Sequence, residues 1–227
     1  MALAYPHFLV NFKIYEGTAG DDGLELARTI ESVQAETGGS FAVAPQTPDL
    51  ARIAAETSLT VVAQAIDAAR PGRGNGCISL QAVAAAGADG VLINHPESQD
   101  SLSDIEAFVT GCAEYGLDSI VCVNSIEMGR AALAFDPDCL LFEKPGDIAT
   151  GQSMTRTHPE RVDAFVTMMD DVNPRTRLLL GGGVSTATDV EQALELGADA
   201  AGAASAFIDA TDRQTWLSDI ADALSGG

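Results

Sequence analysis

Positive charge is what this sequence has least of. Its 227 residues include 12 basic side chains against 33 acidic ones, which gives a formal net charge of −21 at pH 7. Only two lysines occur, Lys13 and Lys144, whereas the acidic residues are 20 aspartates and 13 glutamates. A chain of this sign repels phosphate backbones, so no nucleic acid is expected among its partners. The composition is typical of halophilic proteins, in which a screening length of about 3 Å at 1 M salt makes the self-repulsion tolerable.

Cysteines are also few, and their spacing fits no metal or redox motif. Cys77, Cys112, Cys122 and Cys139 are too far apart for a C-x-x-C pair, so reduced, buried thiols are expected. No apolar run approaches the ~20 residues that cross a bilayer. The segment from Met1 to Phe8 lacks the basic-then-apolar order of a signal peptide. We therefore expect a soluble, cytoplasmic protein that does not contact membranes.

Short apolar runs, by contrast, recur at regular intervals. With 46% hydrophobic and 20% charged residues, the chain is long enough to bury a large core without disulfides. There are eight such runs: Phe8 to Lys13, Ser40 to Pro45, Thr60 to Ala65, Gly90 to His95, Ser119 to Asn124, Cys139 to Lys144, Arg177 to Gly183 and Ala200 to Ser205. Several, such as Val91 to Ile93, show no polar alternation, which is typical of strands covered on both faces.

Helical patterns separate these runs. Asp22 to Glu25 has capping-box spacing, and Pro48 and Pro159 stand where a first helical turn accepts proline. An apolar stripe at helical spacing runs from Leu102 to Cys112. Eight strand-helix units without a linker predict an α/β protein of one domain, residues 1–227, folded as a (β/α)8 barrel. A doubly wound sheet, which needs only five or six strands, is the alternative.

Polar side chains follow the predicted strands at their carboxyl ends, where the active sites of such barrels assemble. They are Asn11, Lys13, Gln64, Asp67, Asn94, His95, Glu97, Asn124, Glu143 and Lys144. Lys13 could be a solvated rim charge and His95 a satisfied core histidine. However, both lysines and one of three histidines fall at this one end of the barrel. Glu143 directly follows an apolar run, where burial of a carboxylate is costly and raises its pKa, so the group predicts a catalytic site.

A glycine triplet after the seventh predicted strand suggests a phosphate site. Gly181 to Gly183 would alone be a weak signal, because such triplets often form only a tight turn. With Ser205 after the eighth strand, the triplet occupies the position of the phosphate-binding loops common in these barrels. Backbone N–H groups of small residues can approach a phosphate dianion there. No ligand cluster of metal spacing and no G-x-x-x-x-G-K motif occurs, so neither a metal nor an organic cofactor is expected.

Six short motifs follow one another in order along the chain. They are Asn11-Phe12-Lys13, Asn94-His95-Pro96-Glu97, Glu143-Lys144-Pro145, Ala149-Thr150-Gly151, Gly181-Gly182-Gly183 and Ala204-Ser205. Each is weak alone, but their joint occurrence resembles the triosephosphate isomerase family, whose members fold as TIM barrels. The short length and the Gln64-x-x-Asp67 pattern look like the archaeal branch of that family.

The resemblance implies an isomerase of glycolysis and gluconeogenesis that interconverts dihydroxyacetone phosphate and D-glyceraldehyde 3-phosphate through an enediolate, with no cofactor. It implies that Glu143 is the base that moves a proton between C1 and C2. His95 would polarise the carbonyl, Lys13 would be the cation that stabilises the enediolate, and Asn11 would contact the substrate. The implied phosphate contacts are Ile148, Gly183, Ala204 and Ser205.

Two other functions stay open at this stage. Another phosphate-binding barrel isomerase or epimerase would share the seventh and eighth loops, but it would not need this lysine, histidine and glutamate together. A non-catalytic barrel that binds a phosphometabolite is supported only by the altered sixth loop, in which Lys144 stands where the family usually has proline. The loop from Asp67 to Gly76 follows the third strand as the family's subunit-docking loop does, which implies a homo-oligomer, dimer or tetramer.

The charge predicts that salt stabilises the fold. Raising potassium chloride from about 0.1 M to about 3 M shortens the Debye length from about 10 Å to below 3 Å, so the surface carboxylates repel one another less. We expect the Tm, followed by circular dichroism, to rise across this range. A Tm that stays constant or falls would contradict the halophilic interpretation.

Overall fold

Eight parallel strands close into a barrel in which each strand is hydrogen-bonded to its neighbours in sequence and β1 is bonded to β8. The computed structural model of the chain describes residues 3–69, 72–144, 146 and 152–226. The strands are β1 (His7–Asn11), β2 (Phe41–Ala44), β3 (Thr60–Ala63), β4 (Gly90–Ile93), β5 (Asp118–Val123), β6 (Cys139–Phe142), β7 (Arg177–Leu180) and β8 (Ala200–Ala203). The predicted (β/α)8 barrel is confirmed, and the doubly wound sheet is excluded by this closure.

All eight strands lie where the apolar runs predict them, and each begins within one residue of the predicted start. Each ends one to three residues before the predicted end, where the chain enters the loops. Lys13 and Asn94, for example, have φ values of 43° and 59°, which no strand residue adopts. These side chains therefore lie in the loops at the carboxyl end of the barrel.

Helices follow the strands and cover the outside of the barrel. They are α1 (Gly20–Thr37), α2 (Leu50–Glu56), α3 (Leu80–Ala85), α4 (Leu102–Tyr115), α5 (Ile126–Leu133), α6 (Met154–Thr157), α7 (Pro159–Val172), α8 (Ala187–Glu195), α9 (Ser205–Ile208) and α10 (Arg213–Ser225), with a short 3-10 helix at Thr47–Asp49 before α2. Pro48 and Pro159 stand in first turns, as predicted. Within the described ranges, no helix combines the length and apolarity that a membrane crossing needs.

The capping box expected at Asp22 is wrong. Helix α1 begins earlier, at Gly20, so Asp21 and Asp22 lie within its first turn, where their charge favours the positive end of the helix dipole. A capping box does occur at α8. There Thr186 accepts the backbone N–H of Asp189, and the Asp189 side chain accepts the backbone N–H of Thr186.

Two apolar layers explain why the strands lack polar alternation. One layer fills the barrel interior with alternate strand residues, among them Leu9, Leu92, Cys122 and Leu141. The intervening residues face outward into a second layer beneath the helices. The stripe on α4 joins this outer layer, except that Leu102 at its first position is 58% exposed. Every strand therefore has one face inside the barrel and one under a helix, and both must be apolar.

Candidate active site

A cavity of about 300 Å³ opens at the carboxyl ends of the strands. Seven of the residues predicted to form the site line it, and they are Asn11, Lys13, His95, Glu143, Gly183, Ala204 and Ser205. Ile148, the eighth, lies outside the described residues, as does the Ala149-Thr150-Gly151 segment. Residues from five different strand ends thus meet around one volume, as the barrel topology predicts.

Glu143 reaches this cavity because of the alternation along β6. Cys139 and Leu141 face the barrel interior, and the side chain two residues further on points the same way. Its backbone N–H still bonds to the carbonyl of Val123, 3.1 Å away, so the first residue after the strand stays in register. Gly181 on the neighbouring strand end leaves the necessary room, since a Cβ there would lie 3.0 Å from Glu143 Oε2.

The Glu143 carboxyl group is buried and incompletely satisfied. The residue is only 7% exposed, and its Oε1 atom has no hydrogen-bond partner among the described residues. Burial raises the pKa of Glu143 to about 7, an effect that the nearby charge of Lys13 reduces. A carboxylate with one free oxygen and a pKa near neutrality is suited to accepting a proton from a bound molecule.

His95 lies opposite this carboxyl group in a defined neutral form. Its Nδ1 atom accepts the backbone N–H of Glu97 at 3.2 Å, so the ring proton resides on Nε2. That Nε2 lies 3.6 Å from Glu143 Oε1. Burial, helped by the charge of Lys13, lowers the pKa of His95 and keeps the ring neutral. The ring can therefore donate a hydrogen bond into the cavity without being a charged acid.

Lys13 is held over the cavity by its own backbone and by a carboxylate. Its φ of 43° is unusual for a residue with a side chain, and its N–H donates to Asn11 Oδ1 at 3.0 Å, which supports the turn. The ammonium group lies 3.1 Å from Glu97 Oε1. This ion pair keeps a largely buried cation next to the cavity with an exposed partner that a ligand anion can replace.

Gln64 determines which way the Asn11 amide faces. Gln64 Nε2 donates both to the carbonyl of Ala44 at 2.9 Å and to Asn11 Oδ1 at 3.2 Å. Because Asn11 Oδ1 also accepts the N–H of Lys13, the oxygen is fully used. The Asn11 amide nitrogen is therefore the atom left to donate to a ligand.

The far side of the cavity is built from small residues. Gly182 and Gly183 have φ values of 69° and 77°, and a Cβ at Gly183 would overlap the backbone of Gln152. Glycine is therefore required here both by the backbone conformation and by the close passage of another segment. Together with Ala204 and Ser205, these residues leave backbone N–H groups accessible to an anion.

A buried carboxylate anchors the glycine loop to α8. Asp189 is fully buried and accepts the backbone N–H groups of Ser185 and Thr186, each at 3.0 Å. Arg156 Nε, from α6, lies 2.6 Å from the other carboxylate oxygen. The loop on the small-residue side of the cavity is thus tied to the helix that ends the sixth loop.

Sequence reasoning did not assign three contributors to the site. Glu97 and Gln64 were visible as polar residues after strands, but their partners, Lys13 and Asn11, could not be read from spacing. Asp189 carried the sequence signal of a capping box, Thr186-x-x-Asp189, which was not used. Within the ranges that the structure describes, no three His, Cys, Asp or Glu side chains come together as metal ligands do.

Comparisons with known proteins agree with this geometry. The family model described as triosephosphate isomerase matches residues 6–224. Triosephosphate isomerase of Methanosarcina barkeri is 35% identical over 218 residues, which cover 96% of this chain and 98% of that one. The enzyme of Methanocaldococcus jannaschii is 39% identical over 191 residues, covering 84% and 87% of the two chains.

A solved structure shows the same fold at lower identity. The crystal structure of triosephosphate isomerase from Bartonella henselae superposes with a TM-score of 0.74 at 20% identity, covering 97% of this chain and 99% of that one. At that identity the likeness supports the barrel alone, whereas the family model and the archaeal relatives span nearly the whole sequence. The chain belongs to the triosephosphate isomerase family.

Proposed function

We propose that this chain interconverts dihydroxyacetone phosphate and D-glyceraldehyde 3-phosphate, with Glu143, His95 and Lys13 as the reacting groups. The observation that supports this most directly is the free, buried Oε1 of Glu143, 3.6 Å from the Nε2 of a neutral His95. Moving a proton between a carbonyl carbon and its neighbour needs a base close to the carbon that loses the proton. It also needs a hydrogen-bond donor close to the carbonyl oxygen. The two groups lie side by side in the cavity lining, so one bound molecule can contact both.

The reaction balances with these three side chains alone. Glu143 removes a proton from C1 of dihydroxyacetone phosphate, and the electron pair of that C–H bond forms the C1=C2 double bond. The π pair of the C2 carbonyl moves onto its oxygen, which gives the enediolate. His95 Nε2–H donates to this oxygen, and the Lys13 ammonium stabilises the negative charge of the enediolate. Glu143 then returns its proton to C2, while a proton passes from the C1 hydroxyl to the C2 oxygen to form the aldehyde.

The phosphate group belongs on the small-residue side of the cavity. We assign it to the backbone N–H groups around Gly183, Ala204 and Ser205, and we assign Ile148 to the same site by resemblance to the family. Asn11 supplies a further contact through its amide nitrogen, which Gln64 leaves free. This arrangement separates a dianion from the Glu143 carboxylate, which has to lose and regain a proton repeatedly.

Conservative changes at Glu143 test the function. In Glu143→Gln the amide cannot accept the proton, and in Glu143→Asp the carboxylate is withdrawn by one methylene. We expect turnover in a coupled assay to fall by roughly 10² or more in both variants. Binding of a phosphoglycolate-type inhibitor should survive in Glu143→Asp.

The matched control is Glu106→Gln, which removes an exposed carboxylate of α4 and should leave turnover unchanged. Turnover within threefold of wild type in both Glu143 variants would refute the assignment. Interconversion of a different phosphosugar, with none of the triose phosphates, would favour the epimerase alternative. Inhibitor binding without any turnover in the wild type would favour a non-catalytic barrel.

The raised pKa of Glu143 predicts an acid limb near neutrality. Only the carboxylate accepts a proton, so kcat/KM should rise with pH up to a pKa of about 7, instead of the ordinary glutamate value of 4.5, and level off above it. Because the substrate phosphate itself titrates near pH 6, the carboxyl signal of Glu143 is also titrated directly by difference infrared spectroscopy against Glu143→Gln. A carboxyl group that titrates at the ordinary value would contradict the prediction.

We further propose that the chain acts as a homo-oligomer of single-domain subunits in a salt-rich cytoplasm. The four cysteines are unpaired, which fits a reducing compartment. Three of them are buried as expected, whereas the expectation is wrong for Cys77, which is exposed. Ile14 follows Lys13 and is 87% exposed, which leaves a large apolar side chain beside the cavity for another subunit to cover.

The oligomeric state is tested by light scattering in about 2 M potassium chloride at micromolar protein. Association should bury a standard interface of at least ~1,200 Å² in total, and the measured mass should be a multiple of the 23.4 kDa chain. Ile14→Asp should shift the mass toward the monomer, since a charge in an apolar contact is costly. A single-chain mass for the wild type would refute the proposal.

A further inference from the structure

The loop that holds His95 is closed by a pair of residues that the reaction itself does not use. Asp100 Oδ2 accepts the backbone N–H of Asn94 at 2.6 Å. In return, Asn94 Oδ1 accepts the backbone N–H of Asp100 at 3.0 Å. The two residues are therefore joined by reciprocal hydrogen bonds across the seven-residue turn that contains both His95 and Glu97.

This turn determines the direction of the His95 side chain, which differs from the one that β4 alone would give. Along β4, Leu92 faces the barrel interior, whereas Val91 and Ile93 face the helices. Continued alternation would point the residue at position 94 inward and His95 outward, away from the cavity. The φ of 59° at Asn94 breaks the alternation. His95 reaches the cavity because Asn94 adopts this left-handed conformation.

A left-handed conformation at a residue with a side chain has to be stabilised by its surroundings. Asn94 is only 6% exposed, and its amide nitrogen donates to the carbonyl of Cys122 at 2.9 Å, which fixes the side chain against β5. Asp100 fixes the backbone N–H and the remaining amide oxygen. The amide nitrogen also contacts Met128 Sδ at 3.7 Å. Among the residues that the structure describes, Asp100 is the one that accepts the backbone N–H of Asn94.

The same turn sets the environment of the imidazole. Within it, the carbonyl of His95 accepts the N–H of Ser98 at 2.7 Å, and His95 Nδ1 accepts the N–H of Glu97. If the turn opens at Asn94, the Glu97 N–H moves relative to the ring. Both the position of Nε2 and the tautomer that places a proton on it depend on this contact.

We propose that Asp100 is a positioning residue, which keeps His95 in the cavity through its hydrogen bonds with Asn94. This role rests on the proposed function, because it concerns the group that polarises the carbonyl. Among the described residues, Asp100 is not one of those that line the cavity, and it acts through its hydrogen bonds with Asn94. Its effect is therefore on the chemical step, which needs a donor aligned to within a fraction of an ångström, more than on substrate binding.

Three variants separate this role from general stability. Asp100→Ala removes the acceptor, whereas Asp100→Asn keeps an amide oxygen that can accept the Asn94 N–H. Asp104→Ala is the matched control, because Asp104 accepts a side-chain hydrogen bond from Ser101 at the start of α4. It removes a carboxylate whose charge acts on Asp100, but it leaves the hydrogen bonds between Asp100 and Asn94 in place. All three are assayed in molar potassium chloride, after circular dichroism has shown that each is folded.

We expect kcat to fall at least tenfold in Asp100→Ala, with KM within threefold of wild type. Asp100→Asn should retain kcat within threefold, and Asp104→Ala should match the wild type. The ¹⁵N resonances of the His95 ring, assigned with His95→Gln, should move in Asp100→Ala but not in Asp104→Ala. This spectroscopic measurement needs no turnover.

The outcomes distinguish the two proposals. Unmoved His95 resonances in folded Asp100→Ala, or equal losses of kcat in Asp100→Ala and Asp104→Ala, overturn the positioning role. Equal losses in Asp100→Ala and Asp100→Asn overturn it in favour of a charge effect. An inactive wild type with shifted His95 resonances in Asp100→Ala refutes the proposed function but supports the positioning role. If Asp100→Ala does not fold, Asp100→Ser, whose hydroxyl is too short to reach Asn94, replaces it.

Discussion

Burial of the Glu143 carboxyl group is the constraint around which the mouth of the barrel is organised. Removing this group from water raises its pKa and leaves one oxygen without a partner. Such an arrangement costs stability unless nearby charge offsets it, and Lys13 provides that charge. Lys13 in turn needs its own strained backbone and its contact with Glu97 to stay in place. The unusual features at this end of the fold therefore depend on one another, and they trace back to one buried acid.

Side chains alternate between the inside and the outside of the barrel along each strand. This alternation explains how most of the site residues reach the cavity, and it identifies the one that needs a further cause. Glu143 and Asn11 enter the cavity simply by continuing the inward series of β6 and β1. His95 belongs to the outward series of β4 and enters only because Asn94 turns the chain. The placement of Glu143 and Asn11 is determined by the geometry of their own strands. The placement of His95 requires contacts between residues that lie several positions apart.

This difference accounts for how far the sequence could be interpreted. Period and spacing were enough to place eight strands and to identify the polar residues after them, because burial on both faces leaves an apolar signature. The capping box at Asp22 was wrong because Gly20 and Asp21 extend α1 by a turn that apolar spacing does not reveal. The bond of Gln64 to Asn11 was not predictable, since it joins strand ends whose relative position is set by closure of the barrel. The bonds of Asp100 to Asn94 were not predictable either, since they depend on the left-handed conformation at Asn94, which spacing does not reveal. The roles of the site residues stay proposals, although seven of the eight surround one cavity.

Gly181 shows how a residue without a side chain can constrain the chemistry. An alanine there would place its methyl group 3.0 Å from both Glu143 Oε2 and Leu141 Cδ2, so the carboxylate would have to rotate toward the centre of the cavity. The loop after β7 therefore has two separate reasons to be glycine-rich, one at the proposed phosphate site and one at the base. A change of this loop to fit a different ligand is therefore limited by the base as well as by the phosphate site. Any side chain at position 181 would occupy space that the Glu143 carboxylate now uses.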